Sequence, residues 1–149
     1  MKFSTRATYG LKALLYLADH YGENAVAISK IADEEGISAA YLEQILNRLK
    51  TKSLVRSIRG PHGGYVLTRK PSEISISEVF TLLGETVRRS NGGSGDKNRQ
   101  RPAAHRASEI FWERLFKGFE AALDRISLQD LLTNIRNPSA ADAPLTFSI

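Results

Sequence analysis

The chain contains no cysteine. That absence excludes disulfides and thiolate nucleophiles, and it removes the commonest protein ligands of zinc and iron–sulfur centres. Histidine is scarce as well, with only His20, His62 and His105. No carboxylate pair and no glycine-rich phosphate loop following a strand can be assembled around them, so an enzyme is not expected. No apolar run approaches the roughly 18 residues that a membrane span needs, and the N-terminus lacks the charged-then-apolar order of a signal peptide. A cytoplasmic protein with no membrane partner is expected.

One stretch also lacks charge of one sign. No acidic residue lies between Glu43 and Glu73, while Arg48, Lys50, Lys52, Arg56, Arg59, Arg69 and Lys70 are all basic. Residues 1–70 hold 11 Lys and Arg against 6 Asp and Glu, and residues 71–149 hold ten of each, so the whole net charge of +5 lies in the first half. A basic surface concentrated in this way suits a polyphosphate partner, because neutralising phosphates releases counterions. Taken alone, the run would also describe a solvated basic face.

What is present is an ordinary globular chain, 42% hydrophobic and 25% charged over 149 residues, long enough for one domain with its own core. Ser4 is a candidate N-cap for a long first helix, with Ala7, Leu11, Leu14, Leu15 and Ala18 at helical spacing and Gly22 at its end. Lys2, Thr5 and Arg6 near its start could lie beside phosphates, helped by the positive end of the helix dipole; a plain scaffold helix explains them equally well. Ile28, Ile31 and Ala32 mark a short helix ended by Gly36, and Ser38 caps the next, on which Leu42, Ile45, Leu46 and Leu49 form one apolar face. The opposite face, Ala40, Glu43, Gln44 and Asn47, is small or polar and can approach base edges. Leu54–Ile58 and Tyr65–Thr68 are β-prone runs around Arg59, Gly60, Pro61, His62, Gly63 and Gly64. A helix-turn-helix followed by such a hairpin is a winged helix, and the class expected is mainly α (α+β).

Farther on, Ser75 to Glu78 opens a short helix with Val79, Leu82 and Leu83, and residues 84–104 form a glycine-rich basic loop. From His105 to about Arg125 the helical period returns, with Ile110, Leu115, Phe119, Ala122 and Leu123 near one face and Phe111, Trp112 and Phe116 adding a second apolar side. Such a helix is either sandwiched within the monomer or packed on its twin, and the second is favoured. Ser127 and Asp130 begin a last short helix through an imperfect capping box, and a tail follows from Asn137. The organisation expected is a DNA-binding domain over 1–84, a flexible basic loop over 85–104, a dimerisation helix and short helix over 105–136, and a tail over 137–149.

Three motifs in fixed order, M-K-F-S-T-R-x-x-Y-G-L, G-I-S-x-x-Y-L-E-Q-I-L-x-x-L and L-V-x-S-I-R-G-P-x-G-G-Y-x-L, resemble the bacterial Rrf-two family of winged-helix transcription regulators. The resemblance implies a homodimer, held through Ile110, Phe111, Trp112, Leu115, Phe119 and Leu123, that acts on a pseudo-palindromic double-stranded DNA operator, as a repressor. It implies that Ser38, Ala39, Ala40, Tyr41, Glu43 and Gln44 face the major groove while Arg59 and Gly60 bring the wing to the minor groove. The residues agree chemically: Gln44 can pair with adenine N6 and N7, Glu43 can accept from cytosine N4, and Arg59 suits a narrow A·T-rich groove. Arg48, Arg56, Pro61, His62, Lys2 and Thr5 complete the candidate DNA surface. The departure lies in the loop. Cluster-binding members carry three cysteines there, with a non-cysteine fourth ligand in many, for a [2Fe–2S] centre; the resemblance also implies a regulator linked to iron–sulfur, redox or cysteine metabolism. This chain offers Ser90, Ser94, Ala103, Ala104 and His105 instead, so no cluster and no metal is expected. A winged-helix protein-interaction module without operator specificity is the alternative.

Overall fold

The computed structural model describes residues 2–85 and 102–136. In order these are α1 (Thr5–Asp19), α2 (Ile28–Glu35), α3 (Ala39–Thr51), β1 (Val55–Ile58), β2 (Gly64–Leu67), a 3-10 turn (Pro71–Glu73), α4 (Ile76–Leu82), α5 (Ala103–Asp124) and α6 (Leu128–Arg136). The expected winged helix-turn-helix with a two-stranded wing and a long C-terminal helix is the observed fold.

Four of the helix starts, those of α1, α3, α4 and α6, trace to a serine that accepts from an otherwise orphan N–H, while α2 and α5 begin without a side-chain cap. Ser4 Oγ accepts from Ala7 N at 3.1 Å, Ser38 Oγ from Tyr41 N at 3.4 Å, and Ser75 Oγ from Glu78 N at 3.1 Å. The capping box of α6 closes despite having Asp at its third position. Asp130 N donates to Ser127 Oγ at 3.1 Å and Ser127 N donates to Asp130 Oδ2 at 2.8 Å. Gly36, left-handed at φ 65°, ends α2 and starts the turn into α3.

Helix α3 ends in the same way but without glycine. Leu54 N returns to Leu49 O and Ser53 N to Lys50 O, both at 3.0 Å, with Ser53 at φ 59°. A left-handed L-residue costs about 1–2 kcal/mol. Ser53→Gly is therefore expected to raise stability by about 0.5–1 kcal/mol, seen as a higher urea midpoint with an unchanged slope.

The core is assembled around α3, whose Leu42, Ile45, Leu46 and Leu49 are all excluded from solvent, as are Ala13 and Leu14 of α1, Ile31 of α2, Leu54 and Val55 before and in β1, and Val79 of α4. Strands β1 and β2 pair antiparallel, Val55 opposite Leu67 and Ile58 opposite Gly64. Val26 adds a bridge that the sequence pattern did not announce, donating to Tyr65 O at 3.0 Å and accepting from Tyr65 N at 2.8 Å. The core also extends past residue 84. Leu128 of α6 is fully buried in it, Leu128 N donates to Ile74 O at 3.0 Å, Ile76 N donates to Ile126 O at 2.8 Å, and Arg136 forms an ion pair with Asp19 at 2.5 Å.

Helix α5 is different, because none of its residues is buried. Ile110, Phe111 and Trp112 are 48%, 51% and 40% exposed. Leu115 and Phe119 are half-buried, and Leu123 packs against the core. Of the two covers considered for this apolar helix, the described part of the monomer does not supply the first over its N-terminal half. Among the described residues no helix is long and apolar enough to cross a membrane.

Candidate nucleic-acid interface

The four apolar residues that bury one side of α3 force Ala40, Glu43, Gln44 and Asn47 to the other, and all four are exposed. Glu43 and Gln44 have no hydrogen-bond partner among the described residues, so their polar groups are turned to solvent and available to a ligand. Ser38, Ala39 and Ala40 are exposed at the helix start. Tyr41 is half-buried, its ring edge-on to Tyr9 of α1 at 6.0 Å. That contact brings the first half of α1 alongside the start of α3. Thr5 stands one turn before Tyr9, and both it and Lys2 are exposed.

The wing is joined to α3 from below. Tyr65 of β2 is buried, and its hydroxyl reaches Asn47 Oδ1 at 3.5 Å. Burial pushes its phenol pKa up, and the nearby negative charge of Glu43 pushes it further in the same direction. The sequence assigns Tyr65 no role of its own; the signals were its place in a β-prone run and in the third family motif.

At the tip, Arg59, Gly60, Pro61 and His62 are all exposed. The three glycines of the turn divide by what surrounds them. A Cβ on Gly64 would lie 2.1 Å from Val26 O, and one on Gly63 would lie 2.3 Å from Ile58 O, whereas one on Gly60 would meet nothing within 4 Å. Gly63 and Gly64 thus serve the hairpin's own packing, and Gly60 is the one whose bare backbone faces open space.

The structure does not gather every candidate into one surface. Arg56 lines an open groove of about 350 Å³ with Leu17, His20, Tyr21 and Glu23, at the far end of α1. Arg48 is exposed on the last turns of α3, but its Nε donates to Leu82 O at 2.9 Å. Arg6, which the sequence placed near phosphates, likewise donates from Nε to Leu83 O at 2.6 Å.

The loop candidates Ser90 and Ser94 lie outside the described residues. Ala103 and Ala104 begin α5, and His105 Nε2 stands 3.2 Å from Glu109 Oε1. The described residues contain no group of three His, Asp or Glu that could hold a metal ion, and the full sequence has no thiolate. This donor set does not fit the cysteine-ligated [2Fe–2S] centre of cluster-binding relatives.

Comparison with known proteins gives a consistent answer. The model of the Rrf2 family, described as an iron-dependent transcriptional regulator, matches residues 3–134. The HTH-type transcriptional regulator IscR of Sodalis glossinidius (strain morsitans) is 34% identical over 136 residues, 90% of this chain and 80% of that protein. IscR of Serratia proteamaculans (strain 568) is 35% identical over the same shares. Among solved structures, CymR, the global cysteine regulator of B. subtilis, superposes with a TM-score of 0.75 at 30% identity, covering 89% of this chain and 97% of that one. T. potens IscR gives a TM-score of 0.73 at 33% identity, covering 91% and 88%. None of these relatives is named as an enzyme. With one family model spanning nearly the whole chain and relatives above 30% identity along most of its length, this protein belongs to the Rrf2 family of transcriptional regulators.

Proposed function

We infer that this chain is a sequence-specific DNA-binding regulator that acts as a homodimer on a pseudo-palindromic operator, repressing by occupancy. The observation that carries the reading is the exposed pair Glu43 and Gln44 on α3, without a side-chain partner among the described residues, beside a segment with seven basic residues and no acid. Gln44 has the donor and acceptor to read adenine N7 and N6, and Glu43 accepts from cytosine N4 while repelling acceptor-rich edges. Ser38, Ala39, Ala40 and Tyr41 make up the start of the same surface, where N–H groups and short side chains suit close approach to the duplex. Arg59, Gly60, Pro61 and His62 form a wing tip able to enter the minor groove, while Lys2 and Thr5 are placed for phosphates. Arg56 is an outlying contributor of charge.

The second copy is supported by α5. Exposed Phe111 and Trp112, with half-buried Leu115 and Phe119 on the same helix, form an apolar surface that the described residues leave partly uncovered. Two-fold pairing there would place two copies of α3 about one DNA turn apart. No cluster enters this mechanism, since the chain has no thiolate to hold one.

The test is a gel shift on the duplex that the wild-type protein selects from a random-sequence pool. A dimeric complex is expected, with affinity falling steeply as salt rises. Glu43→Ala should relax discrimination at one base pair by about 1–3 kcal/mol, and Arg59→Ala should weaken binding with the dimer intact. Failure to enrich any sequence would refute the operator; unchanged DNA binding by Arg59→Ala would point to a protein partner instead.

A further inference from the structure

Helix α4 ends without a free carbonyl, and the way this is achieved ties it to the reading helix. Gly84, at φ 84°, reverses the chain so that Glu85 N donates to Phe80 O at 2.9 Å and Gly84 N to Thr81 O at 3.1 Å. Leu83 N donates to Val79 O at 3.0 Å. Among the described residues, two carbonyls remain that no backbone N–H satisfies, those of Leu82 and Leu83, and each receives an arginine. Arg48 Nε from α3 donates to Leu82 O at 2.9 Å, and Arg6 Nε from α1 donates to Leu83 O at 2.6 Å. Cations at the negative end of a helix are favoured there on charge as well as by the hydrogen bond.

Gly84 serves the turn through its left-handed φ of 84°, which an L-residue rarely adopts. A Cβ there would also lie 2.9 Å from Arg48 Nη2 and 3.0 Å from Arg6 Nη2, flexible ends that would have to shift. The adjacent residue is held as well. Glu85 Oε1 accepts from Ser4 N at 3.2 Å and from the Ser4 hydroxyl, at the cap of α1. Three helices therefore meet at one point, to which α3 contributes Arg48.

We propose that Arg48 is a positioning residue, which sets the pose of the reading helix by clasping the C-terminal carbonyls of α4 together with Arg6, rather than a phosphate contact. The proposal rests on the DNA-reading assignment of α3. The clasp adds a polar anchor at the last turns of α3, beside the buried Leu42, Ile45, Leu46 and Leu49 that seat the helix on the core. Small rotations there displace Glu43 and Gln44 from base edges, because a helix is stiff over 13 residues.

Affinity for the selected operator, measured at several salt concentrations, tests this in Arg48→Met, Gly84→Ala and the double variant. Loss of a phosphate contact lowers the slope of log affinity against log salt by about 0.9. The clasp predicts a different pattern: each single variant weakens operator binding about tenfold at an unchanged slope, and the double variant is hardly worse than either single one, because both remove the same arrangement. A slope reduced by about 0.9 in Arg48→Met, with Gly84→Ala binding like wild type, overturns the proposal, and so do fully additive losses. If wild-type protein selects no operator, the DNA-reading assignment itself fails. The clasp is then judged on amide hydrogen exchange, where faster exchange at Gly84 and Glu85 in Arg48→Met supports it and unchanged protection overturns it.

Discussion

Replacing Trp112 with glutamate is expected to leave a folded monomer whose operator affinity is lower by about two to four orders of magnitude at equal protomer concentration. Trp112 is 40% exposed, and among the described residues the aromatic rings beside it are neighbours on its own helix, Phe111 at 5.2 Å and Phe116 at 6.2 Å. A charge at this position can reach solvent in the monomer, because no residue of α5 is buried. In an apolar interface with a second copy it would leave an unpaired carboxylate on each side of the two-fold axis, at a cost that grows with burial. The loss at the operator follows because two linked half-site contacts become two independent ones. Sedimentation velocity with circular dichroism checks the first part and a gel shift the second. A variant that remains dimeric would remove α5 from the interface.

Gly64→Ala is expected to have the largest effect on the fold itself, about 3 kcal/mol or more of stability. Its Cβ would lie 2.1 Å from Val26 O and 2.7 Å from Ala27 N, and the residue sits at φ 154°. Backbone cannot move aside as a flexible side chain can, so the strand must part from Val26. Two hydrogen bonds across that bridge would lengthen or break, each worth about 0.5–1.5 kcal/mol net, and an unfavourable backbone region adds about 1–3 kcal/mol. Thermal melting should show a midpoint lower by about 10 °C, with faster amide exchange at Tyr65. A midpoint within a degree or two of wild type would mean that the wing docks without the Val26 bridge. The wing carries Arg59, so operator binding should weaken along with stability.

These two predictions draw on different kinds of legibility. The exposed aromatics of α5 could be named from the sequence, because Phe111, Trp112 and Phe116 give a helix more apolar surface than one face can hold. What the pattern left open was whether the rest of the monomer covers them, and the described fold does not cover its N-terminal half. The glycines of the wing were legible as glycines of a turn, but not by purpose. Only the fold separates Gly64, pressed against Val26 some 38 positions earlier, from Gly60, which faces open space.

The arginines show the same division. Arg48 and Arg6 counted equally with Arg59 when charge alone was considered, since a run of bases does not reveal which of them find carbonyls. Their partners are 34 and 77 positions away, and nothing local encodes such pairs. Tyr65 was missed for the same reason, because its bond to Asn47 spans 18 positions.

By itself the sequence determined the helices and the serine-capped starts of α1, α3, α4 and α6, the apolar and polar sides of α3, the hairpin, the concentration of charge in the first half and the lack of any thiolate. Each of these depends on residues within a few positions of one another, or on composition, and so survives without knowledge of the fold. Helix α5 begins at Ala103, two residues before the expected His105. Tertiary structure alone decided that Leu128 completes the core, that Val26 stitches the wing to the body, and that two of the bases close the end of α4 instead of standing free. Those outcomes depend on which distant backbone groups are left unsatisfied once the helices have packed, and that is settled by three-dimensional proximity rather than by spacing along the chain.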